Sequence, residues 1–145
     1  MQYTKGKIKR VFLVRFDDGE EFIRKLGELA VKEKINSAAL IFLGALKKGN
    51  LVTGPRKTVI PPKPNKITFK DGWEVLGVGT IFRNRSGPEL HLHASMGKKR
   101  RVLTGCIRDK SKIFLVVEAV IFELSGFGAT KGLDPRTGIN LLRFI

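Results

Sequence analysis

The sequence predicts a single α+β domain spanning residues 1–145, with one main helix near the N-terminus and a largely antiparallel sheet in which parallel pairs remain open. Three observations lead there. Only one segment carries a helical repeat of apolar residues, several others are β-branched and aromatic at short intervals, and most connections are too short for crossover helices.

Ile8 to Phe16 reads as a strand. Asp17 and Asp18 follow, each with an acid three residues on (Glu20, Glu21), a pattern that resembles an N-cap with a capping box. A helix is expected from about Gly19 to Lys34, burying Phe22, Ile23, Leu26, Leu29 and Ala30 on one face. Ala38 to Leu43 is a short apolar strand. From Gly44 to Lys70 the pattern weakens, and Pro55, Pro61, Pro62 and Pro64 mark an extended, loop-rich basic segment. Trp73 to Phe82 returns to strand character, with Gly77 and Gly79 implying close approach by another backbone or a bulge. Glu89 to Met96, Arg101 to Ile107 and Lys112 to Leu124 read as three further strands, and Ile139 to Ile145 as a last strand-like run. Gly126 to Gly132 lacks the Gly-Lys-Ser/Thr ending and following helix of a phosphate loop, so it reads as a plain connection.

Composition narrows the function classes. At 42% hydrophobic and 28% charged, the chain is globular rather than disordered. Its longest nearly apolar stretch, Ala38 to Leu46, falls far short of the roughly 20 residues of a membrane helix. The polar start and the single cysteine, Cys106, fit a cytoplasmic protein without signal peptide, membrane contact or intrachain disulfide. The formal net charge is +15, and no acid occurs from Lys34 to Lys70. Lys47, Lys48, Arg56, Lys57 and Lys63 lie in that stretch, and Lys98, Lys99, Arg100 and Arg101 form a second cluster on a predicted turn. Such a field attracts DNA through its phosphates without reading bases; the alternative is a solvated, lysine-rich surface.

The two histidines and the cysteine fall within sixteen residues. On a strand, His91 and His93 share one face. If Met96 pairs with Arg101 across the turn, His91 faces Cys106, roughly 4.5–5.5 Å away between Cβ atoms. Two imidazoles and a thiolate would make a three-ligand site suited to zinc, with a fourth position open. A one-residue slip would instead send Cys106 to the other face, as an ordinary small core residue. The same pairing logic, with Ile107 opposite Lys112, sets Glu118 against Arg101 as a cross-strand ion pair rather than a fourth ligand. No Ser-His-Asp arrangement can be assigned and no catalytic residue is named.

Read together, these segments resemble the PPC domain, the "plants and prokaryotes conserved" family, in its stand-alone prokaryotic form. The resemblance rests on Arg15-Phe-Asp-Asp-Gly-Glu-Glu-Phe22, Ala38-Ala-Leu-Ile-Phe-Leu-Gly-Ala-Leu46, Glu74-Val-Leu-Gly-Val-Gly-Thr-Ile81, Leu90-His-Leu-His-Ala94 and the closing Leu133-Asp-Pro-Arg-Thr-Gly-Ile-Asn-Leu-Leu142. It implies a compact α/β protomer, a homotrimer, and a metal site built from the His-x-His strand and a third histidine downstream. Where members often read Gly-Gly-His, this chain reads Thr104-Gly-Cys106. Either cysteine replaces the third ligand or the site is lost. Plant relatives bind DNA through AT-hooks outside this domain, and Gly54-Pro-Arg-Lys57 has the wrong residue order for one. Three functions follow as expectations. The leading one is a basic trimer that binds DNA non-specifically through phosphates. The second is a metal-dependent enzyme or small-ligand binder using His91, His93 and Cys106 with zinc, and the third a trimerising scaffold with no catalytic role.

Overall fold

A computed structural model describes all 145 residues. Its elements in order are β1 (Lys7–Asp17), α1 (Phe22–Lys32), β2 (Ser37–Pro55), β3 (Pro64–Asn84), β4 (Gly87–Lys98), β5 (Arg101–Ile107), β6 (Lys112–Ser125), β7 (Ala129–Asp134) and β8 (Ile139–Phe144). Six strands form one antiparallel sheet in the order β1-β6-β2-β3-β4-β5, and the far end of β2 also pairs with β5 at Leu51–Ile107 and Val52–Cys106. That second pairing closes β2, β3, β4 and β5 into a small barrel-like end. Strands β7 and β8 make a separate hairpin.

This is a β-rich fold, which corrects the α+β expectation of a main helix. The helix has only 11 residues. Its expected first turn is taken by the sheet instead: Gly19 N donates to Ile113 O at 3.0 Å, Ile113 N to Glu20 O at 3.0 Å, and Glu21 bridges to Lys112. The cap is Glu21, which accepts from Arg24 N at 2.7 Å, while Asp18 accepts from Leu115 N at 2.9 Å. The acids at 17–21 thus fasten a turn to β6, and the helix starts after them.

The proline-rich segment is also more regular than its composition suggests. Strands β2 and β3 run side by side from Ser37–Phe82 to Pro55–Pro64, forming a long hairpin arm with breaks in register after Leu46 and after Val52. Prolines cluster at its tip, where no ladder donors are needed. A third correction concerns β6, which lies between β1 and β2, not beside β5. Glu118 therefore faces Arg15 and Leu43, and Arg101 stacks over Trp73 with its guanidinium carbon 5.5 Å from the ring centroid. In this central position Val117, Ala119 and Ile121 are buried in the hydrophobic core.

The predicted helical stripe holds. Phe22, Leu26 and Ala30 are buried and Ile23 and Leu29 pack against them. Phe22 meets Phe16 edge-on at 5.2 Å and Phe42 at 5.0 Å between ring centroids. Gly77 and Gly79 leave room for side chains from both neighbouring strands. A Cβ at Gly77 would lie 2.1 Å from Phe42 Cζ, and one at Gly79 would lie 2.2 Å from Leu92 Cδ2. The core thus occupies one face of the sheet, under the helix. No helix is long and apolar enough to cross a membrane.

The opposite face of the sheet is open, and it is apolar. Val11, Leu13, Ile41, Leu43, Leu76 and Val78 project from it, with Leu13 83% and Leu76 66% exposed. This face carries the site.

Candidate metal centre

Alternation along β4 decides which residues reach the open face. Leu92, Ala94 and Met96 turn into the core, so His91 and His93 turn outward. The turn to β5 is tight, with Lys98 opposite Arg101, and the register brings His93, not His91, opposite Cys106. The expected pairing was two residues off. An even slip preserves the face, so all three side chains still converge.

The donor atoms of His91, His93 and Cys106 lie within 4.8 Å of one another. The two imidazole Nε2 atoms are 3.1 Å apart, with ring planes crossed at 86°. Nitrogen ligands bound at 2.0–2.1 Å at a tetrahedral angle sit about 3.3–3.4 Å apart, so this spacing already approximates one edge of a coordination shell. The donor set fits zinc, and His91, His93 and Cys106 would hold it. With three protein ligands, a bound ion would supply Lewis acidity at a fourth, open position.

Burial, aided by the charges of Lys131, His93 and Arg108, pushes His91 below the ordinary imidazole range, which favours the neutral form that ligates. Burial likewise raises the Cys106 thiol, so a cation must displace its proton. Cys106 is buried on the outer face beside Val52, and His91 and His93 open onto a groove walled by Ala39, Ile41, Val78, Thr80 and Phe122. Register rows run straight across the sheet into the site: Leu13, Val120, Ile41, Val78, His93 and Cys106 are successive partners. Glu118 is two residues from Val120 along β6 and is no ligand.

The basic residues are placed less uniformly. Lys47 donates to Asp18 Oδ2 at 2.9 Å, Lys98 donates to the Asp71 carbonyl, and Arg101 lies on Trp73. Lys48, Arg56, Lys57, Lys63, Lys99 and Arg100 have neither an ion pair nor a side-chain hydrogen bond to another residue. They occupy β2, the tip of the β2–β3 arm and the β4–β5 turn. The sequence reading missed Arg108 and Lys131, whose charges reach both His91 and Cys106. Arg108 was legible as the residue two beyond Cys106, whereas Lys131 arrives only through the tertiary fold.

The decisive comparison is with families. The model of the Plants and Prokaryotes Conserved (PCC) domain matches residues 3–125. The chain belongs to this family. Several solved structures share the fold of this PCC protein at low identity. A metal-containing protein from Archaeoglobus fulgidus aligns over 99% of both chains at 22% identity, with a TM-score of 0.86. A plant- and prokaryote-conserved protein from Pyrococcus horikoshii aligns over 100% of this chain and 99% of its own at 21% identity, with a TM-score of 0.85. A Bacteroides thetaiotaomicron protein provisionally named DNA-binding aligns over 96% and 97% at 20% identity, with a TM-score of 0.82. No protein of curated function matches the sequence.

Proposed function

We propose that this PCC protein is a zinc-binding homotrimer whose His91–His93–Cys106 centre binds a small ligand at the open metal position. The observation that carries this reading is the 3.1 Å approach of the two Nε2 atoms beside the only thiol. A fold neighbour from Archaeoglobus fulgidus is metal-containing, which favours the same reading. Two things support the trimer: the resemblance to the family implies one, and the open sheet face exposes more apolar surface than stable monomers usually leave in water. Its single, unpaired cysteine suits a reducing compartment, the cytoplasm. In a calorimetric titration of chelator-stripped, tag-free protein, zinc should bind at one ion per chain. A flat titration would overturn the reading.

A second reading, DNA association through phosphates, is favoured by the six unpaired cations Lys48, Arg56, Lys57, Lys63, Lys99 and Arg100 and by the provisional name of the Bacteroides thetaiotaomicron neighbour. Lys47, Lys98 and Arg101 join the footprint only by leaving the partners they hold. Duplex DNA should then be retained in a gel at about 0.15 M salt and released steeply as salt rises. Retention no better than that of a neutral control protein would remove it.

A further inference from the structure

The surroundings of the metal centre point to the chemical class of its ligand. The β4–β5 ladder ends at His93–Cys106, but the chain does not turn away at once. Arg108 N donates to Asn50 O at 2.9 Å, continuing the pairing of Leu51 with Ile107 and Val52 with Cys106. Residue 108 therefore stands alongside the level of His91, and its side chain leaves on the face that carries Cys106.

The fold brings Lys131 close enough for its charge to bear on both His91 and Cys106. This lysine sits on β7, in the C-terminal hairpin, which is fastened to the β3–β4 end by two contacts. Thr130 Oγ1 donates to Arg83 O at 2.5 Å, and Asn140 Nδ2 donates to Glu89 Oε2 at 2.8 Å.

Neither Arg108 nor Lys131 has a salt-bridge partner. Glu89 is the one acid whose charge is felt at His91, and its Oε2 is already taken by Asn84 and Asn140. A divalent ion here would have its charge offset by a single thiolate, with two further cations close by. Such a site is short of negative charge, and an anion at the open position would restore the balance.

We infer that Arg108 and Lys131 form an oxyanion site at the fourth position of the metal centre, so that its ligand is a small carboxylate or phosphate. The inference rests on the zinc reading above. Arg108 offers a planar fork matched to two oxygens of either group, and Lys131 a single point charge. The apolar wall of Ile41, Val78 and Phe122 would accept the remainder of a small acid but no second charge.

The test uses tag-free protein loaded with Co²⁺, whose visible bands report both thiolate ligation and a change of the fourth ligand. Sodium acetate and inorganic phosphate are titrated separately at constant ionic strength. The bands should shift saturably with at least one of them, and which one identifies the ligand class. Arg108→Ala and Lys131→Ala should bind cobalt with unchanged stoichiometry but need about tenfold more anion, the worth of one charge-assisted contact. Bands that ignore both anions, or respond alike in wild type and both variants, would overturn the oxyanion site while leaving the metal centre standing. Absence of cobalt bands would remove the metal reading and this inference with it.

Discussion

At the scale of single residues, two groups show how environment sets chemistry. Glu123 is 4% exposed, yet it accepts from Arg10 and, at 3.4 Å, from Lys9; Arg10 also reaches Glu33. The Arg10 hydrogen bond is the main reason its carboxyl is held below the usual range. A depressed carboxyl stabilises the fold above its unfolded value, near 4.5, and loses that contribution as pH falls through the lower folded value. Glu123→Gln should thus cost on the order of 1–3 kcal/mol at neutral pH. In thermal melts, the gap between wild type and variant should be full from pH 7 to about 5, begin to shrink near 4.5 and close only as pH falls past the lower folded value. A gap independent of pH would mean the ionised carboxylate is not what matters. His91, His93 and Cys106 were legible for a simpler reason. Side chains alternate strictly along a strand, so His91 and His93 share a face whatever the turn, whereas Cys106 joins them only in registers of one parity, the parity that a Met96–Arg101 pairing also has. The exact pairing was not legible, because the length of the turn around Lys99, whose φ is 54°, is set by backbone geometry that Gly97-Lys98-Lys99-Arg100 does not announce.

At the scale of elements, most strands were readable but their extent and neighbours were not: β7 begins inside the stretch read as a plain connection, and β2 and β3 run on through much of the segment read as loop-rich. Lys112 to Leu124 is plainly a strand, but its insertion between β1 and β2 depends on the chain crossing the molecule at Arg108 to Ser111. Ser111 is buried there, and Phe22 N donates to its carbonyl at 2.9 Å, tying the crossing to the helix start. The helix was over-read by one turn for the same reason: Gly19 and Glu20 had backbone partners on β6 that no local pattern reveals. Two substitutions test this packing. Phe22→Ala, at the junction of helix and sheet, should lose about 3–5 kcal/mol in a denaturant titration. Gly77→Ala should fail to fold or melt well below wild type, because its methyl would meet Phe42 Cζ at 2.1 Å and the His93 carbonyl at 2.7 Å. Unchanged stability for either would mean that β2, β3 and the helix are packed differently.

At the scale of the whole molecule, a sheet covered on one side only has to meet something on the other. Val11, Leu13, Leu43 and Leu76 leave that face apolar beyond the groove, and its rows lead directly into the candidate metal centre. On the proposed trimeric assembly, sedimentation should give a trimer for wild type and a smaller species for Leu13→Asp, on peripheral β1, with the helix and sheet signal of circular dichroism retained. A wild-type monomer would refute the assembly. The positive charge, legible from composition alone, remains a property of the surface; the folded chain uses part of it internally, at Lys47, Lys98 and Arg101, which composition could not foretell.

The proposed metal centre stands or falls with Cys106 as its third ligand. Elemental mass spectrometry on tag-free wild type and Cys106→Ala tests it directly. About one zinc per wild-type chain, lost or greatly reduced in the variant, is the expected result for a His₂Cys site. A metal-free wild type, or a variant that keeps its zinc, would contradict it.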